Sequence, residues 1–458
     1  MHWYSVLPPL IAIVVVFWRK EVILALLLAI FSSEFLLAVQ HDQSILFEGS
    51  INSIERIVAV ISDGGNARII MFSVIIGALL AYLRDSGGVR ATVSMLINKG
   101  IAKSRRQVGM LTFFSGIVIF IESNLSVLTA GILSRGLFDK FKMSRARLAY
   151  IIDSTSAPVC ILILLNGWGA YVLGLLSGYD LPDTAVSVLL GTVPLNFYAL
   201  IALGLVLYTI IADKVHGPMK QEEQLLSHEI DLPQEQLPET KARFMLVPLA
   251  TLILSMVGFM LWTGNGDLTQ GSGSKSVLYA TLLACLVSYV LMSSSKQFSH
   301  QQLVDIGFKG MGELLPLVSI VLLSMALGAS LKELGTGVFV AGLVGDYLPL
   351  WMVVPMLFVA GAIMSFTTGT SWGTFAILIP IGVPLIQSLG LPPSLVIAAI
   401  LGGGVFGDHC SPISDTTAVS SIASGCDILT HVRTQIPYAL VGGVLTFIAY
   451  VVASLVMI

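Results

Sequence analysis

The sequence predicts an all-α polytopic membrane protein of about 11 to 13 membrane segments, built as two inverted repeats that each hold a re-entrant hairpin and a broken helix. Three observations predict it: a composition too apolar for a water-facing surface, polar breaks that recur in the same order in both halves, and basic residues confined to certain loops. Of 458 residues, 55% are hydrophobic and 11% charged, less than half the charged share of an ordinary soluble domain. Val22 to Val39, Phe244 to Trp262, Ser276 to Met292 and Ala439 to Ile458 are apolar runs close to the ~20 residues a helix needs to cross a hydrocarbon core. They are continuously apolar, which excludes the alternating strands of a membrane barrel. The net charge of -3 says nothing about a nucleic-acid partner; with no basic tail, none is expected. Cys160, Cys285, Cys410 and Cys426 lie in or beside apolar runs, where a thiol behaves as a small hydrophobe, so no disulfide is expected.

Residues 1–66 read as N-terminal membrane helices. Leu7 to Trp18 is followed, not preceded, by the basic pair Arg19 and Lys20, so it reads as a retained helix whose start lies outside. Residues 67–212 form repeat 1. Arg84, Arg90, Lys99, Lys103, Arg105 and Arg106 make one basic cluster and Arg135, Lys140, Lys142, Arg145 and Arg147 another, both expected in the cytoplasm. The stretch between them, about 107–135, is too long for one span and too short for two, so it is expected to be a hairpin with Glu122-Ser123-Asn124 at its turn. A broken helix at about 148–176 follows, interrupted between Asp153 and Pro158 because proline lacks a backbone donor and clashes with the preceding turn.

Residues 213–243, rich in Gln, Glu and Pro, read as a cytoplasmic linker compatible with one short surface helix. Residues 244–309 are connecting helices, and residues 310–458 form repeat 2. Its hairpin is expected at about 350–391 with Ser365 to Thr374 at the turn, and its broken helix at about 394–426, with an interruption from Gly402 to Asp415 where glycines permit unwinding or close approach. The repeat is visible in register. Leu83, Arg84, Asp85 and Gly87 match Leu331, Lys332, Glu333 and Gly335, and Pro158 matches Pro412 after polar clusters at corresponding places. Between Glu333 and Val432 there is no Lys or Arg, so the loops that are cytoplasmic in repeat 1 are external in repeat 2. The copies are therefore inverted, the layout of many secondary transporters, whose site lies between the repeats near mid-membrane.

The ionisable residues within these apolar segments are Glu122, Asp153, Asp408, His409 and Asp415, with Glu313 near a helix end. No Lys or Arg is close in sequence to pair with them, and an unpaired carboxylate at this depth is costly. A proton or a hard cation is the natural partner. Candidate substrate- and ion-binding residues are Glu122, Ser123, Asn124, Asp153 and Thr155 from one half and Thr370, Ser371, Asp408, Ser411, Asp415 and Thr416 from the other. Among them Asn124, Ser371, Asp408 and Asp415 are candidate Na+ ligands, and Asp408, His409 and Asp153 candidates for proton coupling. Each has a blander reading beside it. A Ser or Thr in a membrane helix often bonds its own backbone, Glu122 or Asp153 can cap a broken helix, and His409 can simply orient Asp408. Asp408, His409 and Cys410 suggest zinc only superficially, because three adjacent residues rarely share one tetrahedral ion. Asp427, His431 and Arg433 read as a salt-bridged anchor at the cytoplasmic interface, and Trp168 and Trp372 either line a pathway or pack. No nucleophile or cofactor motif accompanies the acids, so an enzyme is not expected.

The string GDHCSPISDTT beginning at Gly407, its continuation to Tyr438 and TTGTSWGT at 367–374 resemble the NhaC-type Na+/H+ antiporters of the ion transporter superfamily. That resemblance implies a bacterial inner-membrane protein with two hairpins, Na+ coupling, proton exchange, a homodimeric assembly and no cofactor beyond the transported ions. The expected function is secondary active Na+/H+ antiport by alternating access, with cation and proton competing at buried carboxylates. The alternative is a Na+- or H+-coupled carrier or exchanger of a small organic acid or amino acid. Ser123-Asn124 resembles the hairpin-tip motif of Na+-coupled carboxylate carriers, although Leu125 follows where that motif has Thr.

Overall fold

A chain this apolar can satisfy its backbone in lipid only by bonding within each segment, and the computed structural model is helical throughout, with no strand among the described residues. The structure describes residues 3–19, 21–41, 45–88, 91, 103–120, 123–164, 166–179, 181–225, 240–267, 271–295, 297–336, 339, 342, 347–412 and 414–458. After a short 3-10 turn, the N-terminal part has α1 (Leu7–Arg19), α2 (Val22–Gln40) and α3 (Ile45–Ser62). Repeat 1 opens with α4 (Gly64–Asp85). Then come α5 (Arg105–Val118) and α6 (Ser123–Lys140), α7 (Arg145–Ser154), α8 (Ala157–Leu162) and α9 (Gly167–Ser177), and α10 (Ala185–Leu195) and α11 (Phe197–Ile211). The linker begins with α12 (Gly217–Gln224), and its residues 226–239 lie outside the described residues. The connecting part has α13 (Arg243–Thr263), α14 (Gly273–Ser294) and α15 (His300–Glu313). Repeat 2 has α16 (Leu315–Leu334), α17 (Leu350–Thr368), α18 (Ser371–Leu389), α19 (Pro393–Cys410), α20 (Asp415–Ser424) and α21 (Ile428–Met457). Among the described residues, ten helices are long and apolar enough to cross a membrane, with α10 and α11 taken as one. The bent run from α7 to α9 brings the number to eleven.

The two halves pack in corresponding ways. The amphipathic helix α3 lies against α16, while α15 lies against α4, so each half covers the first span of the other. Ion pairs sit at matching ends of those spans: Arg84 bonds Glu313 at 2.8 Å, and Arg56 joins Glu333 and Glu34. The crossing of α4 and α15 is close enough that a Cβ on Gly77 would fall 2.3 Å from the Gly310 carbonyl oxygen, an approach that only glycine allows. The hairpins are exchanged in the same sense. Helix α6 packs on α20 of the opposite half, and α18 on α9.

Each break has a local cause. Ser144 caps α7 by accepting from Arg147 N–H, and Ser156 accepts from Ala157 N–H just before Pro158 in the first turn of α8. Gly369, at φ +69° in the left-handed region, ends α17, and Thr370 caps α18. The second broken span differs from its sequence reading. Gly402 to Gly404 do not unwind; they lie inside continuous helix α19, and the interruption is confined to residues between Cys410 and Asp415. Their use is contact. A Cβ at Gly403 would stand 2.3 Å from the Phe358 carbonyl oxygen of α17, and one at Gly407 would stand 2.2 Å from that of Ala362. Where the start of α7 meets the end of α11, buried Arg147 reaches Asp213 at 2.9 Å and the Thr209 carbonyl at 2.8 Å, and with Arg105 it holds Glu223, so α12 is clamped to the helices.

Candidate functional site

The hairpin tips meet. Ser123 and Asn124 at the start of α6 and Thr370 and Trp372 around the start of α18 line one cavity of about 290 Å³, closed by Gly167, Trp168 and Tyr171 of α9 and by α4 and α16. The rim includes Glu313. Trp168 and Trp372 both line the cavity and pack on each other with ring centroids 4.9 Å apart, and Tyr171 donates to the Trp372 carbonyl at 2.8 Å. Ser371 faces the second broken span, donating to the Gly404 carbonyl at 3.2 Å. Glu122 lies outside the described residues, as does the side chain of Asp415.

One residue that sequence reasoning passed over holds the first tip in place. Asn166 donates from Nδ2 to the carbonyls of Phe120 and Cys160, both at 2.8 Å, and its Oδ1 accepts from Trp168 and Gly169 N–H. It thus satisfies four backbone groups that the double break would otherwise leave open. An Asn directly before Gly167 after an apolar run was the available signal.

The sequence expectation brought the tips and the acids to one point, and the structure separates them. Neither Asp153 nor Asp408 contributes to the cavity wall. Asp153, at the end of α7, is fully buried. Its Oδ2 accepts from Gln435 Nε2 at 2.6 Å and lies 3.3 Å from His431 Nε2. Gln435 Nε2 also donates to the His409 carbonyl at 2.9 Å, so one amide joins the broken spans of opposite repeats. His409 turns its Nδ1 to the Tyr198 hydroxyl at 3.1 Å. Asp408 is buried on α19 and accepts from Thr416 Oγ1 at 3.3 Å; Thr416 in turn pairs with Ser414. Ser411 donates to the Phe366 carbonyl at 2.8 Å, tying the second break to the second hairpin, whereas Thr155 bonds the Ile151 carbonyl of its own helix. Among the described residues no group of three or more His, Cys, Asp and Glu side chains is arranged to hold a metal ion.

The interfacial-anchor reading of Asp427, His431 and Arg433 is corrected. Asp427 caps α21 through Thr430 N–H, and Arg433 bonds Gln221 on an exposed face. His431 instead turns inward and is wholly buried against Asp153. The signal was present as a polar stripe at 431, 434, 435 and 438, one face of an otherwise apolar helix.

Comparison with known proteins completes the description of the site. Residues 159–455 match the Na+/H+ antiporter family. An uncharacterised protein of Haemophilus influenzae is 30% identical over 98% of this chain and 91% of its own length. The malate-2H+/Na+-lactate antiporter of Bacillus subtilis is 35% identical over 29% of each chain. The YdaH transporter of Alcanivorax borkumensis has a similar fold, with a TM-score of 0.66 at 15% identity, covering 90% of this chain and 89% of that one.

Proposed function

As this chain belongs to the Na+/H+ antiporter family, we propose that it exchanges Na+ for H+ by alternating access, with Asp153 bearing the proton and the space between the hairpin tips receiving the cargo. The observation that carries this reading is the setting of Asp153. It is a fully buried carboxylate at a helix break, met by an imidazole and an amide instead of Lys or Arg. A charge so buried needs a neutralising partner, and a proton supplies it reversibly. Na+ is a hard cation that takes oxygen ligands. Asp408 and Asp415 at the second break are the ligands proposed for it, with Ser411 and Thr416 as neighbouring oxygens; Asn124, Ser123, Thr370 and Ser371 at the tips are proposed to meet the cargo at a separate stage of the same path. Proton uptake cancels part of the negative charge that attracts Na+, and bound Na+ disfavours protonation by the same free energy, so competition at the buried carboxylates yields antiport.

The proposed setting is a bacterial inner membrane, with the N-terminus outside, the linker in the cytoplasm, the chain acting as a homodimer and no cofactor taking part beyond the transported ions. The test is reconstitution of the full chain into proteoliposomes carrying a preset pH gradient. Adding Na+ or Li+ is expected to dissipate the gradient. Absence of any response from about pH 6 to about pH 9 overturns the reading.

A second reading is favoured by the cavity itself. Its volume of about 290 Å³ and its aromatic wall suit a small organic solute better than a bare ion, and an antiporter of malate and lactate is among the similar proteins. The solute would be a small carboxylate or amino acid exchanged or carried together with Na+ or H+. Thermal unfolding measured with such solutes distinguishes the two, because stabilisation that requires both solute and Na+ belongs to the second reading alone.

A further inference from the structure

We propose that the transported proton is held jointly by Asp153 and His431, with Gln435 keeping the pair in register. This rests on the antiport reading and adds to it a residue and an atom. His431 and Gln435 are one turn apart on α21, so both face α7. His431 Nε2 and Gln435 Nε2 converge on the same oxygen, Asp153 Oδ2, at 3.3 and 2.6 Å. Gln435 has no charge to change. Its amide nitrogen is held by two acceptors, Asp153 Oδ2 and the His409 carbonyl, and this fixes which way the amide points.

Two atoms of the pair remain unengaged. Asp153 Oδ1 and His431 Nδ1 are buried without a hydrogen-bond partner among the described residues, as are Gln435 Oε1 and His409 Nε2 beside them. Buried polar atoms in a native structure are nearly always paired, so two in one contacting pair require a reason. Proton loading supplies one. With its hydrogen on Nε2, neutral His431 donates to the Asp153 carboxylate, and Nδ1 is left with its lone pair exposed for an incoming proton. Binding one proton there converts imidazole to imidazolium beside the carboxylate, and the pair passes from a net charge of minus one to zero. Releasing it to the other side of the membrane restores the charge. Loading makes one N–H bond, or one O–H bond where Asp153 takes the proton, release breaks it, and no other bond changes.

Sharing extends the pH range over which the site loads. A lone buried carboxylate can take the proton only on its own oxygen, whereas the pair can take it on either partner, and imidazole is the side chain that ordinarily titrates near neutrality. The ionisable groups near the pair are His409 and Cys410 of α19 and Tyr198 of α11, with Tyr150 of α7 and Tyr438 of α21 lying beside Gln435. Helix α17 contributes no ionisable residue, α20 begins with Asp415, and α12 brings Lys220, Glu222 and Glu223 to the cytoplasmic end, where Arg433 and Arg147 lie. His409, turned to Tyr198, does not share the carboxylate through its ring.

The test compares the pH profile of Na+-driven proton flux for the wild-type chain and His431→Gln in proteoliposomes. Removing the second acceptor is expected to move the alkaline limb to lower pH by about one unit or more while the apparent KM for Na+ stays within about twofold. An alkaline limb that superimposes on that of the wild type overturns the proposal. Should His431→Gln fail to assemble, nitrogen-15 histidine NMR of the full-length wild type and of Asp153→Asn decides. An imidazole whose protonation moves to lower pH when the carboxylate is neutralised supports the pair, and unchanged histidine titration overturns it. The NMR arm does not depend on flux, so a wild type that moves no protons removes the antiport reading without deciding the pair.

Discussion

Asp153 and Asp408 fall within one position of each other when the two halves are aligned on Pro158 and Pro412, yet they are met by different chemistry. Asp153 is contacted by nitrogen, from the amide of Gln435 and the ring of His431. Asp408 is reached by the Thr416 hydroxyl, in a segment where Ser411, Ser414 and Thr417 supply further hydroxyls. An amide N–H can only donate, so it stabilises a carboxylate but offers nothing to a cation. A hydroxyl can turn a lone pair toward one. On the proposed reading, these neighbours suit Asp153 to a proton and Asp408 to Na+.

Three substitutions test this division. The largest effect is expected from Asp153→Asn, which removes the carboxylate proposed to share the proton while keeping an amide of similar shape. Na+-driven proton flux should fall by about 100-fold or more, and flux near the wild-type level would show that Asp153 carries no proton. Asp408→Asn should instead raise the Na+ concentration for half-maximal flux by about tenfold, roughly the loss of one charged ligand, with the midpoint of the pH profile unmoved. A shifted midpoint with unaltered Na+ dependence would erase the distinction between the acids. The smallest effect belongs to Glu313→Gln at the cavity rim. The Arg84 guanidinium beside Glu313 holds its carboxyl below the usual glutamate range. The pair therefore contributes stability above the ordinary glutamate value of 4.5 and loses it as pH falls through the lowered value. Both side chains are more than a third exposed, so solvent screening keeps the contribution under about 1 kcal/mol. A thermal shift at neutral pH should be correspondingly slight.

Much of the fold could be read because lipid imposes simple rules. Basic clusters on either side of 107–135 and their absence from Glu333 to Val432 fixed which loops share a side, and residues such as Gly369 and Pro158 marked places where a helix must end. What sequence reading lacked was the rotation of each helix about its axis. His431 lies two residues from Arg433, and that proximity along the chain suggested a shared interface, but on a helix two residues apart point to nearly opposite sides. The glycines of α19 were ambiguous for a similar reason, since the same composition serves an unwound segment or a tight crossing and only the neighbour decides. The separation of the tip cavity from the acids was not legible at all. It depends on how far α7 and α8 carry Asp153 from the tip that Asn166 secures, and no spacing rule gives that distance.

The glycine seam between α17 and α19 has a mechanical consequence. At Gly403 and Gly407 the two backbones touch without intervening side chains, so the contact leaves no soft layer to absorb displacement. One arm of that pair ends at the hairpin tip beside Thr370, and the other carries Asp408 and His409. Any rigid shift of the two helices as a unit therefore moves the tip end of α17 together with Asp408 and the His409 carbonyl that Gln435 bonds.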